Sequence, residues 1–238
     1  EEINYSARLF THGYDIYHLH RPVLYHYWDR EGAKDAAQYR DHNDRRNQIS
    51  LARNLHLLGL QSATDPAALV DIEKYQLGTE RTLSEYWKFI GVNLIKGTIA
   101  PYAREGKWGE SKPQPPVTLP RIFVAVAAYR DPECTHTLAN MFAKATWPDR
   151  IRAGVCLQID PVEDKHCAVH TDRPGQVDIK QVHWRDSVGA NWARAEAIKL
   201  HRGEEYILQI DSHMRFEPGW DETLINMLAR CPSEKPVV

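Results

Sequence analysis

Tyr206-Ile207-Leu208-Gln209-Ile210-Asp211-Ser212-His213-Met214-Arg215-Phe216 carries a short apolar run into Asp-x-His and then returns to Arg and Phe. Residues i and i+2 of an extended segment point to the same side. The Asp211 carboxylate and the His213 imidazole therefore converge on one cation at the end of a buried strand. Carboxylate suits Mg2+ or Mn2+ and imidazole favours softer divalent ions, so the mixed pair fits Mn2+ best. Two ligands leave coordination positions open, and these suit a diphosphate whose charge must be neutralised as it departs. The tripeptide is equally compatible with a turn capped by Asp211 beside a half-buried His213.

The surrounding pattern decides the fold class. Ile122-Phe123-Val124-Ala125-Val126-Ala127-Ala128 reads as a buried strand, followed by the polar turn Tyr129-Arg130-Asp131-Pro132-Glu133. Thr137 to Ala145 has helical character. Ile151 to Gln158 and Val177 to Trp184 are further strands, and Gly189 opens a helix from Ala190 to His201 that leads into the Asp-x-His strand. Strands alternating with helices at this spacing predict an α/β fold with a mostly parallel central sheet flanked by helices. Ligands of such sheets bind beyond the carboxyl ends of the strands. Both Tyr129-Arg130-Asp131 and Asp211-Ser212-His213 lie at such ends.

The phrases VAVAAYRDPEC (124–134), GANWAR (189–194), GEEYILQIDSHMRF (203–216) and GWDETL (219–224) together resemble the amino-terminal half of the glycosyltransferase (GlcNAc) family. That family includes enzymes that place α-linked N-acetylglucosamine on hydroxyproline of a ubiquitin-ligase adaptor. It is similar to the polypeptide N-acetylgalactosaminyltransferases. The resemblance implies a GT-A type nucleotide-diphospho-sugar transferase fold. EEINYSARLFTHGYDIYHLHRPVLYHYWDR (1–30) resembles a later segment of the same family, and YQLGTERTLSEYWKFIGVNL (75–94) its carboxyl-terminal tail.

The chain thus runs in the order second half (1–109), linker (110–120), first half (121–238), with an incomplete or permuted module as the expectation. Glu110 to Pro120 is Pro-rich, lacks periodicity and reads as extended. Two arrangements produce this order. The chain is either a window cut across two tandem modules or one circularly permuted domain. The absence of an initiator Met, the ending at Lys235-Pro236-Val237-Val238 and the absence of the family's middle segment favour the tandem window. Docking of the two halves as one permuted module stays open.

The resemblance assigns roles residue by residue. Asp211 and His213 correspond to metal ligands, and His26, in Val23-Leu24-Tyr25-His26-Tyr27-Trp28, to the third. In the tandem arrangement His26 serves a different ion. In the permuted one all three meet. Tyr129, Arg130 and Asp131 occupy the place that contacts the uracil and ribose of the donor. Asp accepts hydrogen bonds from hydroxyls or N3–H, and Tyr stacks on a base. The ordinary alternative is a turn with Asp131 before Pro132. Arg194 lies early in its helix, where its forked guanidinium can reach a diphosphate; an exposed helical Arg is the alternative. Glu1 and Glu2 stand where the family has an acidic pair near the reacting sugar. Asp221 reads as a helix cap and Trp220 as packing. The charged run His42 to Gln48 reads as a helix start and solvated face, and Ile3 to Phe10 as a helix ended by Gly13.

Composition is compatible with these readings. Thirty Lys+Arg against 32 Asp+Glu in 238 residues give a net charge of -2, with no bulk basic footprint for nucleic acid. No apolar run reaches membrane-spanning length and no signal peptide is seen. Cys134, Cys156, Cys167 and Cys231 lack zinc spacing, and Cys134 and Cys156 fall in or beside core-like segments and read as buried free thiols, which favours a reducing compartment and a cytoplasmic location. There is no P-loop, dinucleotide glycine fingerprint or nucleophile elbow. The expected activity is a Mn2+- or Mg2+-dependent, retaining transfer of N-acetylglucosamine from UDP-GlcNAc to a hydroxyl on a protein or glycan acceptor. A non-catalytic nucleotide-sugar- or glycan-binding module and a metal-dependent hydrolase are the alternatives.

Overall fold

The computed structural model describes residues 2–19, 21–27, 40–94, 96–106 and 120–238. Glu1, Trp28 and, apart from Pro120, the linker 110–120 lie outside the described residues, as does the side chain of Glu2. The chain forms two compact units. One comprises Glu1–His18, Tyr39–Pro115 and Leu228–Val238, the other Leu19–Gln38 and Pro116–Met227. The units interleave the sequence halves, because the stretch containing His26 belongs with the later strands.

The first unit is built around helix α1 (Glu2–Thr11) and helix α4 (Leu83–Ile90). Ala7, Phe10, Leu58 and Tyr86 form its buried centre, closed by Ile16, Leu77, Trp87 and Phe89. Gly13, at φ 85°, ends α1 as its residue type demands. Helix α2 (Arg40–Leu57) contains the charged run around Arg45, and short helix α3 (Pro66–Leu69) follows. Helix α4 starts at Leu83, where Thr82 and Glu85 form a reciprocal capping box. Gly91, left-handed at φ 65°, closes it. The unit also carries strand β1 (Asp15–Ile16), the pair β3 (Val92–Asn93) and β4 (Thr98–Ile99), and helix α5 (Pro101–Glu105). Strand β10 (Pro236–Val237) pairs in parallel with β1.

The second unit bears the expected α/β sheet. Strands β5 (Ile122–Tyr129), β6 (Ile151–Gln158), β7 (Val177–Val182) and β8 (Tyr206–Asp211) are all parallel, in the order β7-β6-β5-β8. Nearly every residue of β5 and β6 is buried, as continuous apolar strands in a parallel sheet must be. Helix α6 (Glu133–Lys144) buries Cys134, Thr137, Leu138, Met141 and Phe142, an i, i+3, i+4, i+7, i+8 stripe. Helix α7 (Ala190–Ile198) sets Ala193 and Ala197 on Phe123, Ala125 and Cys156. Helix α8 (Trp220–Ala229) buries Trp220, whose indole N–H donates to Met141 O at 2.9 Å and whose ring packs on Phe216. Asp221 does not cap its own helix: its carboxylate accepts from the Thr146 and Trp147 amides, both at 2.8 Å, and ties the end of α6 to α8.

Small residues let α7 approach the sheet closely. A Cβ added to Gly154, in the middle of β6, would lie 2.4 Å from Phe123 Cζ and 2.9 Å from Ala197 O. The second contact is backbone and cannot rotate away. Gly154→Ala is therefore expected to destabilise the protein by about 1–3 kcal/mol, the usual range for overpacking, read as a lower denaturant midpoint. The four cysteines are buried and make no disulfide. Burial pushes the Cys134 and Cys156 thiols up, Cys156 to about 11, so neither is a thiolate near neutral pH. Among the described residues no helix is long and apolar enough to cross a membrane.

Candidate functional site

Three side chains converge beyond the carboxyl end of β8. Asp211 ends that strand, and the chain turns through Ser212 and His213 into β9 (Met214–Phe216). Strand β2 (Leu24–His26) pairs antiparallel with β9, with His26 opposite Met214 and Tyr27 N donating to His213 O at 2.8 Å. That ladder carries His26 to the site from 187 residues away, with His26 Nε2 at 2.6 Å from His213 Nε2. The two rings meet edge to face with centroids 4.2 Å apart. His26 Nε2 also lies 3.9 Å from Asp211 Oδ2. One ligand atom from each of His26, Asp211 and His213 lies within 4.8 Å of the other two. Asp211 and His213 converge across the bend at Ser212 and His213 rather than along an extended strand, and the Ser212 side chain is buried.

The next layer comes from the loop after β5. Asp131 is buried, and its Oδ2 accepts from Ser212 Oγ at 2.8 Å and engages His213 Nδ1 at 2.7 Å. Its Oδ1 accepts the Glu133 amide at 2.9 Å. Burial raises the Asp131 pKa, but the hydrogen bonds from His213, the Glu133 N–H and Ser212 outweigh it and hold the carboxyl at about 2. An ionised carboxylate only accepts, so this contact is complete when the ring hydrogen is on His213 Nδ1. The other ring nitrogen, Nε2, is the one that faces His26.

Arg194 reaches the same carboxylate from α7. Its Nη2 donates to Asp211 Oδ1 at 3.0 Å, and Nη1 to Asn191 at 3.3 Å. Arg130 is arranged differently. It is only 3 % exposed, and its guanidinium donates to the fully buried Asp164 at 2.7 Å, approaches Glu163 at 3.5 Å and lies 4.6 Å over the Trp184 ring. Its backbone is left-handed, φ 46°, a conformation that costs a side-chain-bearing residue free energy. Of the three residues at the end of β5 that were expected to face the donor, Arg130 and Asp131 thus turn their charged groups into the protein, and Tyr129, the last residue of the strand, is half-buried. The physical reason is local: the left-handed step at Arg130 redirects the chain, sending its side chain towards Asp164 and that of Asp131 towards His213.

Asp164 and Trp184 were not singled out by sequence. Neither stands in a motif, and Asp164 lies 34 residues from Arg130, so no local spacing announces the pair. Nearby, His183 Nε2 lies 3.1 Å from Asp160 Oδ2. Hydrogen bonds from the Val162 and Glu163 amides, together with His183, hold the Asp160 carboxyl at about 2.

The family model described as glycosyltransferase (GlcNAc) matches residues 1–96, 121–174 and 171–238. The chain belongs to the glycosyltransferase (GlcNAc) family. No curated protein and no solved structure matches it. Family membership makes glycosyl transfer the class of reaction, with a nucleotide-sugar donor and an acceptor as its two substrates.

The donor set of the cluster is one carboxylate and two imidazoles. That set fits a divalent transition ion, which accepts both ligand types and leaves room for ligand oxygens. The two Nε2 atoms that face each other belong to the rings' outer edges, the usual ligating position once Nδ1 is bound elsewhere, as it is in His213.

Proposed function

We propose that the protein is a metal-dependent glycosyltransferase of GT-A type that takes UDP-GlcNAc as donor and delivers N-acetylglucosamine, with retention, to a hydroxyl on a protein or glycan. The observation that carries this reading is the convergence of His26, Asp211 and His213 beyond a parallel strand, in a chain of this family. When bound there, Mn2+ or Mg2+ would neutralise the diphosphate as the glycosidic bond breaks. Asp211, His213 and His26 hold the ion. Arg194, already beside Asp211, supplies a forked donor to a phosphate oxygen. Tyr129 remains the proposed contact of the uridine, on the ground of the family resemblance. Retention rests on the family resemblance, with same-face attack assisted by the leaving phosphate; no residue is nominated as a covalent nucleophile. Glu1 and Glu2 keep their proposed place near the reacting sugar on the same ground.

Under this reading the two sequence halves close one site, because the β2–β9 ladder brings His26 to Asp211 and His213. The permuted arrangement is thereby favoured over two separate tandem sites. The test is incubation of the chain with UDP-GlcNAc and a hydroxyproline-bearing peptide, with Mn2+ or with EDTA, followed by mass spectrometry and proton NMR of the product. Expected is one added N-acetylhexosamine with α configuration, in Mn2+ only. UDP release at the same rate without peptide would instead mark a hydrolase. Mn2+-dependent UDP binding with no turnover would mark a binding module.

A further inference from the structure

We propose that Asp131 is the positioning residue of the cluster, fixing His213 in its Nδ1–H tautomer so that Nε2 is presented to the cation. The inference rests on the metal-dependent reading above and names the residue that sets up its site. Three observations carry it. Asp131 Oδ2 lies 2.7 Å from His213 Nδ1 and accepts the neighbouring Ser212 hydroxyl at 2.8 Å, so the carboxylate grips both residues of the turn after Asp211. Its other oxygen is fixed to the main chain by the Glu133 amide at 2.9 Å, so the carboxylate cannot swing away. Asp131 is buried, which strengthens each of these bonds relative to water and keeps competing solvent out.

The start of α6 completes the grip. Thr137, buried in the helix, donates its hydroxyl to Ser212 O at 2.7 Å and accepts the Met214 amide at 3.0 Å. Glu133 pairs with Arg215. Asp131, Glu133 and Thr137 therefore hold the turn 212–215 from one side: Thr137 fixes its main chain, and Asp131 fixes the ring direction of His213. A carboxylate that orients a ligating histidine through its second nitrogen raises ligand basicity and excludes the wrong tautomer. Asparagine cannot replace it. Both Asp131 oxygens accept, whereas an amide offers one acceptor and one donor, so either the Glu133 amide or the His213 Nδ1–H loses its bond.

The test uses the full chain, wild type, Asp131→Asn and Thr137→Val, with three readouts. These are imidazole 15N shifts of His213, calorimetric titration with Mn2+ alone, and the thermal midpoint. Expected are an Nδ1–H signature in metal-free wild type, its loss in D131N, and Mn2+ binding weakened about 10- to 100-fold in D131N. T137V, which touches only the main chain of the turn, lowers the thermal midpoint and leaves the tautomer as in wild type. The proposal is overturned if wild-type His213 carries its hydrogen on Nε2, or if D131N binds Mn2+ as wild type does. If wild type binds no Mn2+ the metal-dependent reading fails and the cation half of the proposal with it. The tautomer then reports separately whether Asp131 directs the ring. Because the wild-type tautomer needs no variant, failure of D131N to fold leaves the proposal open to refutation.

Discussion

His26→Ala is expected to reduce Mn2+-dependent UDP binding by at least about 100-fold, as large a loss as Asp211→Ala produces. Removing even a residue that only orients a ligand typically costs 10- to 100-fold, so deleting one of three ligands costs no less. A hundredfold loss corresponds to about 2.8 kcal/mol. His26 is on a three-residue strand at the edge of the cluster, and its side chain is only partly buried, so the change removes a ligand without opening a large cavity. Tyr25→Ala is the control. Tyr25 neighbours His26 on β2 but points to the opposite face and is 48 % exposed, so its loss leaves UDP binding near wild type. The measurement is calorimetric titration of UDP with and without Mn2+. Equal binding by H26A and wild type, with none by D211A, would assign His26 to a different centre and restore the tandem arrangement.

How much of this site could be read from the chain depends on whether local spacing or long-range pairing builds it. Asp211 and His213 were legible as a pair from their two-residue spacing, although the strand ends at Asp211 and a bend, not the strand period, brings them together. Strands β5 and β6 were legible because buried parallel strands are uninterrupted apolar runs. Helix α6 was legible only from Thr137 onward, although it begins earlier, at Glu133. His26 was legible only through family resemblance. Nothing in its own neighbourhood distinguishes a ligand from a packed histidine, and its partner strand lies almost two hundred residues away. The same limit hid the direction of Asp131. An Asp before Pro in a turn is common, and only the return of the chain through Ser212 and His213 shows what its carboxylate holds. Arg130 was placed at the donor by family resemblance alone. Its left-handed backbone and the buried Asp164 reverse that, and neither leaves a mark in the local pattern. The two structural units likewise draw Leu19–Gln38 away from the segments that flank it, a regrouping no linker composition announces.

Asp164→Ala is expected to be among the most destabilising single changes in the protein. Asp164 is fully buried and Arg130 nearly so; their contact is 2.7 Å, and the second Asp164 oxygen accepts the Asp160 amide at 3.0 Å. Breaking a buried pair from one side leaves the other charge in a low-dielectric interior and typically costs about 3–5 kcal/mol. For a chain of this size the thermal midpoint should fall by on the order of 10 °C. The pair itself need not be net stabilising, since burying two charges costs about as much as their attraction returns. The double variant Arg130→Met with Asp164→Leu should therefore be more stable than D164A alone, which a denaturant series on the wild type, both single variants and the double would reveal. Glu163 is the competitor. It stands 3.5 Å from the same guanidinium and its side chain is 57 % exposed, so solvent already compensates it and it can move. A D164A loss below about 0.5 kcal/mol would mean that Glu163 takes over the guanidinium. The left-handed step at Arg130, which directs Asp131 to His213, would then depend on the backbone turn rather than on the buried pair.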